Sequence, residues 1–129
     1  MNERQTARAN RLAGEVVMGW EDKQGMFYGV VDWIDMGDDE SRVELQIMPV
    51  ITFCPCSNWE HAGWVWDRLV RLGYSVSLEQ LENETPNCVI FPNGKFEEAE
   101  YYHGETPQEA LVKCALACFG YDADAEVEG

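Results

Sequence analysis

Residues 106–120 carry a helical pattern that is apolar on almost every side. Ala110, Leu111 and the run Cys114-Ala-Leu-Ala-Cys118 leave no wide polar stripe on such a helix. The segment Thr106-Pro-Gln-Glu109 combines a capping pattern with a proline at the first helical position, and Gly120 suits the helix end. Other elements have to cover a helix of this composition on most of its sides. We therefore expect this last helix to be buried on most of its sides.

Residues 57–73 predict a second well-marked helix. Ser57 and Glu60 form a capping-box pattern at its start, and Gly73 matches a left-handed residue at its end. At about 100° per residue, Trp64 falls nearly opposite the apolar face of this helix, so it is expected either on the surface as a partner-binding residue or beneath the segment 21–52. The predicted apolar face comprises Trp59, Ala62, Trp66, Leu69 and Val70.

Residues 2–20 predict an amphipathic helix at the start of the chain. The residues expected to face the core are Leu12, Ala13, Val16, Val17 and Trp20. The residues expected on the solvated stripe are Arg4, Arg8, Arg11 and Glu15.

Strand patterns occupy the segments between these helices. Residues 26–33 and 43–47 predict a hairpin around the turn-forming residues 36–41, with a mobile excursion over the surface as the alternative. Further strands are expected at 74–78, 88–91 and 95–102, and Asn93-Gly94 predicts a tight turn between the last two. This order predicts an α/β (α+β) fold, a layered α-β-α sandwich of three helices with a small, mainly antiparallel sheet. Residues 1–120 would form this single domain, and residues 121–129 an acidic, flexible tail.

The charge balance restricts the classes of partner. Nine Lys and Arg residues against 24 Asp and Glu residues give a net charge of −15. Direct nucleic-acid binding is not expected because it depends on neutralising phosphates, and an anionic membrane would repel the chain for the same reason. A basic protein surface is the partner that this charge favours. The alternative is that the acidic residues only keep the protein soluble.

The expected location is the cytoplasm, because the sequence shows neither a signal-peptide pattern nor an apolar run long enough to cross a membrane. Five cysteines without a secretory pattern are expected to be reduced. A zinc site built on Cys54, Cys56 and His61, with Cys114 and Cys118 as further ligands, is disfavoured because the Cys-x-Cys spacing is tighter than usual. No metal and no other cofactor is therefore expected.

The sequence shows no catalytic signature. Only His61 and His103 are available as imidazole bases, and neither lies in a recognisable nucleophile–base pattern. Gly94 and Gly104 are isolated turn residues and do not form a phosphate-binding loop. We therefore expect that the protein is not an enzyme.

Four segments resemble a known family. They are Leu12-Ala-Gly-Glu-Val-Val-Met-Gly-Trp20, Phe53-Cys-Pro-Cys-Ser-Asn-Trp59, residues 66–76 with their Leu-Gly-Tyr exit, and residues 106–117. Together they are similar to the phage ABA-sandwich domain proteins, which are small proteins encoded by bacteriophages and prophages. The resemblance implies an α-β-α sandwich and a phage origin, and it implies no activity and no site residues.

These observations favour a non-enzymatic phage accessory protein that binds and inhibits a host protein in the host cytoplasm. The most specific version of this hypothesis is an anti-defence, anti-CRISPR-like inhibitor whose acidic side chains imitate nucleic-acid phosphates. The candidate partner-binding residues are Trp64, Asp38, Asp39, Glu40, Glu97, Glu98 and Glu100. The alternatives are a binder of a small ligand or nucleotide signal, served by the N-terminal arginines, and a structural or oligomerising phage protein such as a homodimer.

Overall fold

The computed structural model describes residues 1–29, 45–80 and 84–125, and within them three α-helices accompany two antiparallel three-stranded sheets. The mixed α+β class is thereby confirmed, although the strands divide between two sheets where the sequence predicts one. The elements are α1 (Glu3–Leu12), β1 (Glu21–Lys23), β2 (Met26–Gly29), β3 (Leu45–Pro49), α2 (Trp59–Arg71), β4 (Tyr74–Glu79), β5 (Asn87–Pro92), β6 (Glu100–His103) and α3 (Pro107–Cys118).

Helix α1 begins with a reciprocal capping box. The Asn2 side chain accepts from the Gln5 N–H at 2.8 Å, and the Gln5 side chain accepts from the Asn2 N–H at 2.8 Å. The helix continues as a wider π-helical turn over Ala13–Val17, so the predicted helix 2–20 changes geometry before Trp20. In this turn Gly14 lies against the ring of Phe27, where a Cβ atom would come within 2.5 Å of the ring.

The first sheet has the order β1-β2-β3 and contributes Phe27 to the core. Strands β1 and β2 are joined by Gln24 and Gly25, which have φ angles of 56° and 83°. Two positive φ angles are typical of the type I′ turn that closes tight hairpins. Strand β1 is absent from the sequence prediction, and the predicted turn 36–41 lies outside the described residues.

Helix α2 is capped by Asn58 and not by Ser57, because the Asn58 side chain accepts from the His61 N–H at 3.1 Å. Its buried residues are His61, Ala62, Val65 and Leu69. The buried face is thus rotated by about 75° from the predicted one at 100° per residue. Trp59 and Val70, predicted in the core, are exposed, and Trp66 is half-buried.

The second sheet has the order β4-β5-β6, with β5 in the centre. The predicted Asn93-Gly94 turn is present, but a 3-10 turn at Phe96–Glu98 delays the return strand until Glu100. Cys88 and Ile90 of β5 join the core cluster beneath α3, and helices α2 and α3 both pack on this sheet.

Helix α3 is buried on most of its sides, as its composition predicts. Its buried apolar residues include Ala110, Leu111, Val112 and Leu116, each with no exposed surface. Thr106 caps it by accepting from the Glu109 N–H at 3.1 Å. Glu109 is also buried, and its carboxylate lies 3.6 Å from the Lys113 ammonium.

The segment after α3 differs from the predicted tail. Ala123 is buried, and Gln5 Nε2 donates to the Asp124 carbonyl at 2.7 Å. The Lys113 ammonium lies 3.0 Å from the Asp124 carboxylate. Residues 121–125 are therefore docked on α1 and α3, and the rest of the predicted tail, residues 126–129, lies outside the described residues.

None of the helices in the described ranges combines the length and the apolar composition needed to cross a bilayer.

Candidate partner-binding surface

The connection between β5 and β6 displays two of the predicted acidic residues. Glu97 and Glu98 lie in the 3-10 turn and are both exposed. Between residues 84 and 105 the sequence has five Glu residues and one Lys residue, a local net charge of −4. Within the described part of the chain, no basic side chain forms an ion pair with Glu97 or Glu98. Their carboxylates are therefore available to a partner.

Glu100 has a different environment. It opens β6 opposite Ile90, and its carboxylate accepts a hydrogen bond of 2.6 Å from the Tyr102 hydroxyl. Burial, reinforced by this hydrogen bond, raises the pKa of Tyr102 above its ordinary value. Glu98 and Glu100 both line a shallow depression of about 310 Å³ that also touches Tyr74 and Cys118. The carboxylate of Glu100 is thus already hydrogen-bonded within its own sheet and is less available to a partner than those of Glu97 and Glu98.

Aromatic side chains accompany the acidic turn. The side chain of Phe96, within the turn itself, is 69% exposed, and that of Tyr101 on β6 is 60% exposed. The rings of Phe96 and Phe91 meet edge to face, with centroids 5.3 Å apart. Tyr101 lies opposite Val89 in the register of β5 and β6. Val89 itself is buried. We call Phe91, Phe96 and Tyr101 the outer aromatic face.

Phe91, Phe96 and Tyr101 are not among the partner-binding residues predicted from the sequence. The sequence of β5 could have indicated such a surface, because Val89 and Phe91 alternate with the core residues Cys88 and Ile90. Because successive side chains of a strand point to opposite faces, β5 is apolar on both. A strand with two apolar faces indicates either a second covering layer or an interaction surface.

Trp64 is not an isolated surface residue. It is half-buried, and its ring lies 6.4 Å from the rings of both Trp20 and Phe53 and 4.9 Å from the imidazole of His61. Trp20 and Phe53 also contact the fully buried Phe27. We call Trp20, Phe27, Phe53 and Trp64 the buried ring cluster. The predicted role of Trp64 in partner binding stays a prediction, whereas its placement is that of a packing residue.

The three other acidic candidates, Asp38, Asp39 and Glu40, lie outside the described residues. The structure therefore does not relate them to Glu97, Glu98 and Glu100.

Cys54 and His61 come together at the start of α2. The Cys54 N–H donates to His61 Nδ1 at 3.0 Å, and the Cys54 thiol sulfur lies 3.8 Å from the same nitrogen. Because Nδ1 accepts from a backbone amide, the neutral ring carries its proton on Nε2. Burial lowers the pKa of His61 and favours this neutral form. The acceptor nitrogen is thus occupied by the backbone rather than presented to the thiol as a base.

The five thiols are free, and three of them, Cys56, Cys88 and Cys114, are buried. Burial raises the pKa of Cys56 to about 12 and that of Cys118 to about 11. A hydrogen bond with Cys88, together with burial, raises the pKa of Cys114. A protonated thiol is a poor nucleophile and a poor metal ligand. In residues 1–29, 45–80 and 84–125, no three His, Cys, Asp or Glu side chains are grouped to hold a metal ion.

The N-terminal arginine stripe is largely engaged within the chain. Arg8 donates to the Asp122 carbonyl at 2.8 Å. The Arg11 guanidinium lies 2.6 Å from the Glu15 carboxylate and 3.4 Å from that of Asp22. This pairing counts against a phosphate-binding patch on α1.

The fold is similar to that of a known phage protein. No protein-family model and no curated protein matches the sequence. The crystal structure of a phage protein from Bacillus cereus ATCC 14579 matches with a TM-score of 0.60 at 20% sequence identity, over 95% of this chain and 94% of that chain. This likeness shows a shared fold across nearly the whole length of both chains. The resemblance to the phage ABA-sandwich family stays a prediction.

Proposed function

We propose that this chain is a non-enzymatic phage accessory protein that binds, and thereby inhibits, a basic protein of the host. The fold shared with a phage protein and the segments that resemble phage ABA-sandwich proteins support the phage origin. The occupied acceptor nitrogen of His61 and the raised pKa values of the buried thiols support a role without catalysis.

The observation that carries the proposal is the exposed pair Glu97 and Glu98 on an ordered hairpin. A flexible tail must lose conformational entropy before it presents a fixed geometry, whereas residues of a 3-10 turn between paired strands already have one. The net charge of −15 attracts a basic protein from a distance, and the fixed carboxylates then form local pairs. In the more specific version of the proposal, these carboxylates bind where nucleic-acid phosphates would bind on a host defence protein, as in an anti-CRISPR-like inhibitor.

The proposal is tested by affinity capture from a bacterial lysate, followed by titration of the captured protein with the purified chain at low and high salt. The affinity should fall steeply with salt, because exposed charges are screened within about 8 Å at physiological ionic strength. Glu97→Gln with Glu98→Gln should weaken binding about five- to tenfold, the range expected for two exposed ion pairs.

Two further charge variants sharpen this test. Glu3→Gln with Glu60→Gln removes the same charge from α1 and α2 and should leave the affinity within about twofold of wild type. A variant neutralised at Asp38, Asp39 and Glu40 tests the second predicted acidic group. An affinity that does not change with salt concentration and is the same in all of these variants would refute the acidic mechanism.

A further inference from the structure

The geometry points to the outer aromatic face as the docking surface for an arginine-bearing segment of the basic partner. This inference rests on the proposed function and names both the surface and the side chain that it receives. The face lies on β5, β6 and their connecting turn.

The first step is the orientation of the face. Cys88 and Ile90 point into the core, so Val89 and Phe91 point to the other side of the second sheet. Tyr101 pairs with Val89 and is a diagonal neighbour of Phe91, while Phe96 packs edge to face on Phe91. Of these side chains Phe96 and Tyr101 are exposed, Phe91 is half-buried and Val89 is buried, so the solvent-accessible part of the face consists mainly of the Phe96 and Tyr101 rings.

The second step is its exposure. Phe96 and Tyr101 keep more than half of their surface open to solvent, although both lie on elements with defined hydrogen bonding. Exposed rings beside charged residues are typical of interaction surfaces. Aromatic residues are also enriched among those that dominate binding energy.

The third step is the charge around the face. Glu97 and Glu98 follow Phe96 directly in the turn, with Glu98 also bordering the depression beside α3, and Glu79 ends β4 opposite Asn87. All three carboxylates are exposed. A second copy of this chain would bring a net charge of −15 against this rim, so repulsion disfavours self-association through the face. A basic partner is complementary to it.

Arginine suits this combination better than lysine. Its planar guanidinium stacks on an aromatic ring and offers paired N–H donors to a carboxylate at the same time. The Lys ammonium is a compact, strongly hydrated charge that presents no flat surface to a ring. Phe96 and Glu97, which follows it directly in the 3-10 turn, supply an exposed ring and an exposed carboxylate within one short segment.

The test uses two synthetic peptides of equal length and charge, one alternating arginine with glycine and the other alternating lysine with glycine. Their dissociation constants are measured by calorimetry with the full chain at about 0.15 M salt. Wild type should bind the arginine peptide about fivefold more tightly than the lysine peptide. Phe96→Leu with Tyr101→Leu, which keeps apolar volume but removes the rings, should reduce this preference to within about twofold. Trp59→Leu, at an exposed tryptophan on α2, is the matched control and should keep the preference.

The outcomes separate this inference from the proposed function. Equal affinity of wild type for both peptides, or a preference that survives in the double leucine variant, would overturn the inference while leaving salt-dependent acidic binding intact. Salt-independent peptide binding that also ignores Glu97→Gln with Glu98→Gln would instead overturn the proposed function. Concentration-dependent dimerisation that the double leucine variant abolishes would identify a second copy as the occupant and would also overturn the inference.

Discussion

Two groups of aromatic residues in this small domain have opposite environments. The buried ring cluster joins the π-helical turn after α1, the first sheet and α2, and its members Phe27 and Phe53 are almost completely shielded from solvent. The outer aromatic face lies on the second sheet, with Phe96 and Tyr101 largely exposed. The same residue types therefore stabilise the fold in one region and are free to contact a partner in the other. The role of an aromatic residue in this domain therefore depends on how many elements cover its ring, and the residue type alone does not predict it.

Glycines explain how the buried ring cluster packs so closely. Gly14 lies against the Phe27 ring, and Gly29 lies against the indole of Trp20, so a Cβ atom at either position would overlap a ring. The outer aromatic face has no comparable packing constraint, since a Cβ at Gly94 in the β5–β6 turn would meet no neighbouring atom within 4 Å and that glycine is restricted only by its φ of 80°. The cluster should consequently be sensitive to small changes in volume, and the face should tolerate them.

The largest effect is expected from Phe27→Ala. Truncating a fully buried aromatic ring should reduce the free energy of unfolding by about 3–5 kcal/mol, because both ring burial and close packing are lost. Urea denaturation monitored by circular dichroism measures this change. A loss below about 1 kcal/mol would show that the cluster does not hold the first sheet against the π-helical turn that follows α1.

Gly14→Ala should have a smaller but clear effect. The added methyl group would come within 2.5 Å of the Phe27 ring, and overpacking of this kind costs about 1–3 kcal/mol. The double variant with Phe27→Leu provides the control, since a smaller side chain should relieve part of the overlap. Fully additive losses in the double variant would contradict direct contact between the two positions.

His61 should make the stability of the ring cluster depend on pH. Burial lowers its pKa in the folded state, so the unfolded chain binds the proton more readily. The stability that neutral His61 contributes is present above the unfolded pKa of about 6.5 and is lost as the pH falls below it. The free energy of unfolding of His61→Gln should therefore vary less between pH 7.5 and 5.5 than that of wild type. The exposed His103→Gln controls for loss of a histidine, and an equal flattening in that variant would exclude this assignment.

The sequence predicts α3 and the α+β class because these depend on a composition that leaves few alternatives. The sequence assigns the wrong buried face to α2, because the large apolar Trp59 is treated as a core residue and the polar His61 is not. The structure reverses both, since the His61 ring accepts a backbone hydrogen bond and can be buried, whereas Trp59 lies in the exposed first turn. Strand β1 is missed because Glu21-Asp-Lys23 has no apolar alternation and is fixed by its hairpin turn.

The candidate surface is predicted in part. Glu97 and Glu98 are assigned from charge and from the hairpin pattern, and both are exposed on that connection. The rings beside them are missed because exposure of Phe96 and Tyr101 depends on which face of the second sheet the helices cover. That choice is made by tertiary packing, and a strand with apolar residues on both faces does not specify it.

The central claim is that the buried ring cluster stabilises the fold and that the outer aromatic face binds a basic partner. Its most direct test measures both the free energy of unfolding and the affinity for the arginine peptide in two variants. Trp64→Ala should lose about 2 kcal/mol of stability, because its half-buried ring contacts Trp20 and Phe53, and should keep the wild-type affinity. Phe96→Ala with Tyr101→Ala should stay within about 0.5 kcal/mol of wild-type stability and weaken binding about tenfold. Equal loss of affinity in both variants, or an unchanged affinity in the second, would contradict this division of roles.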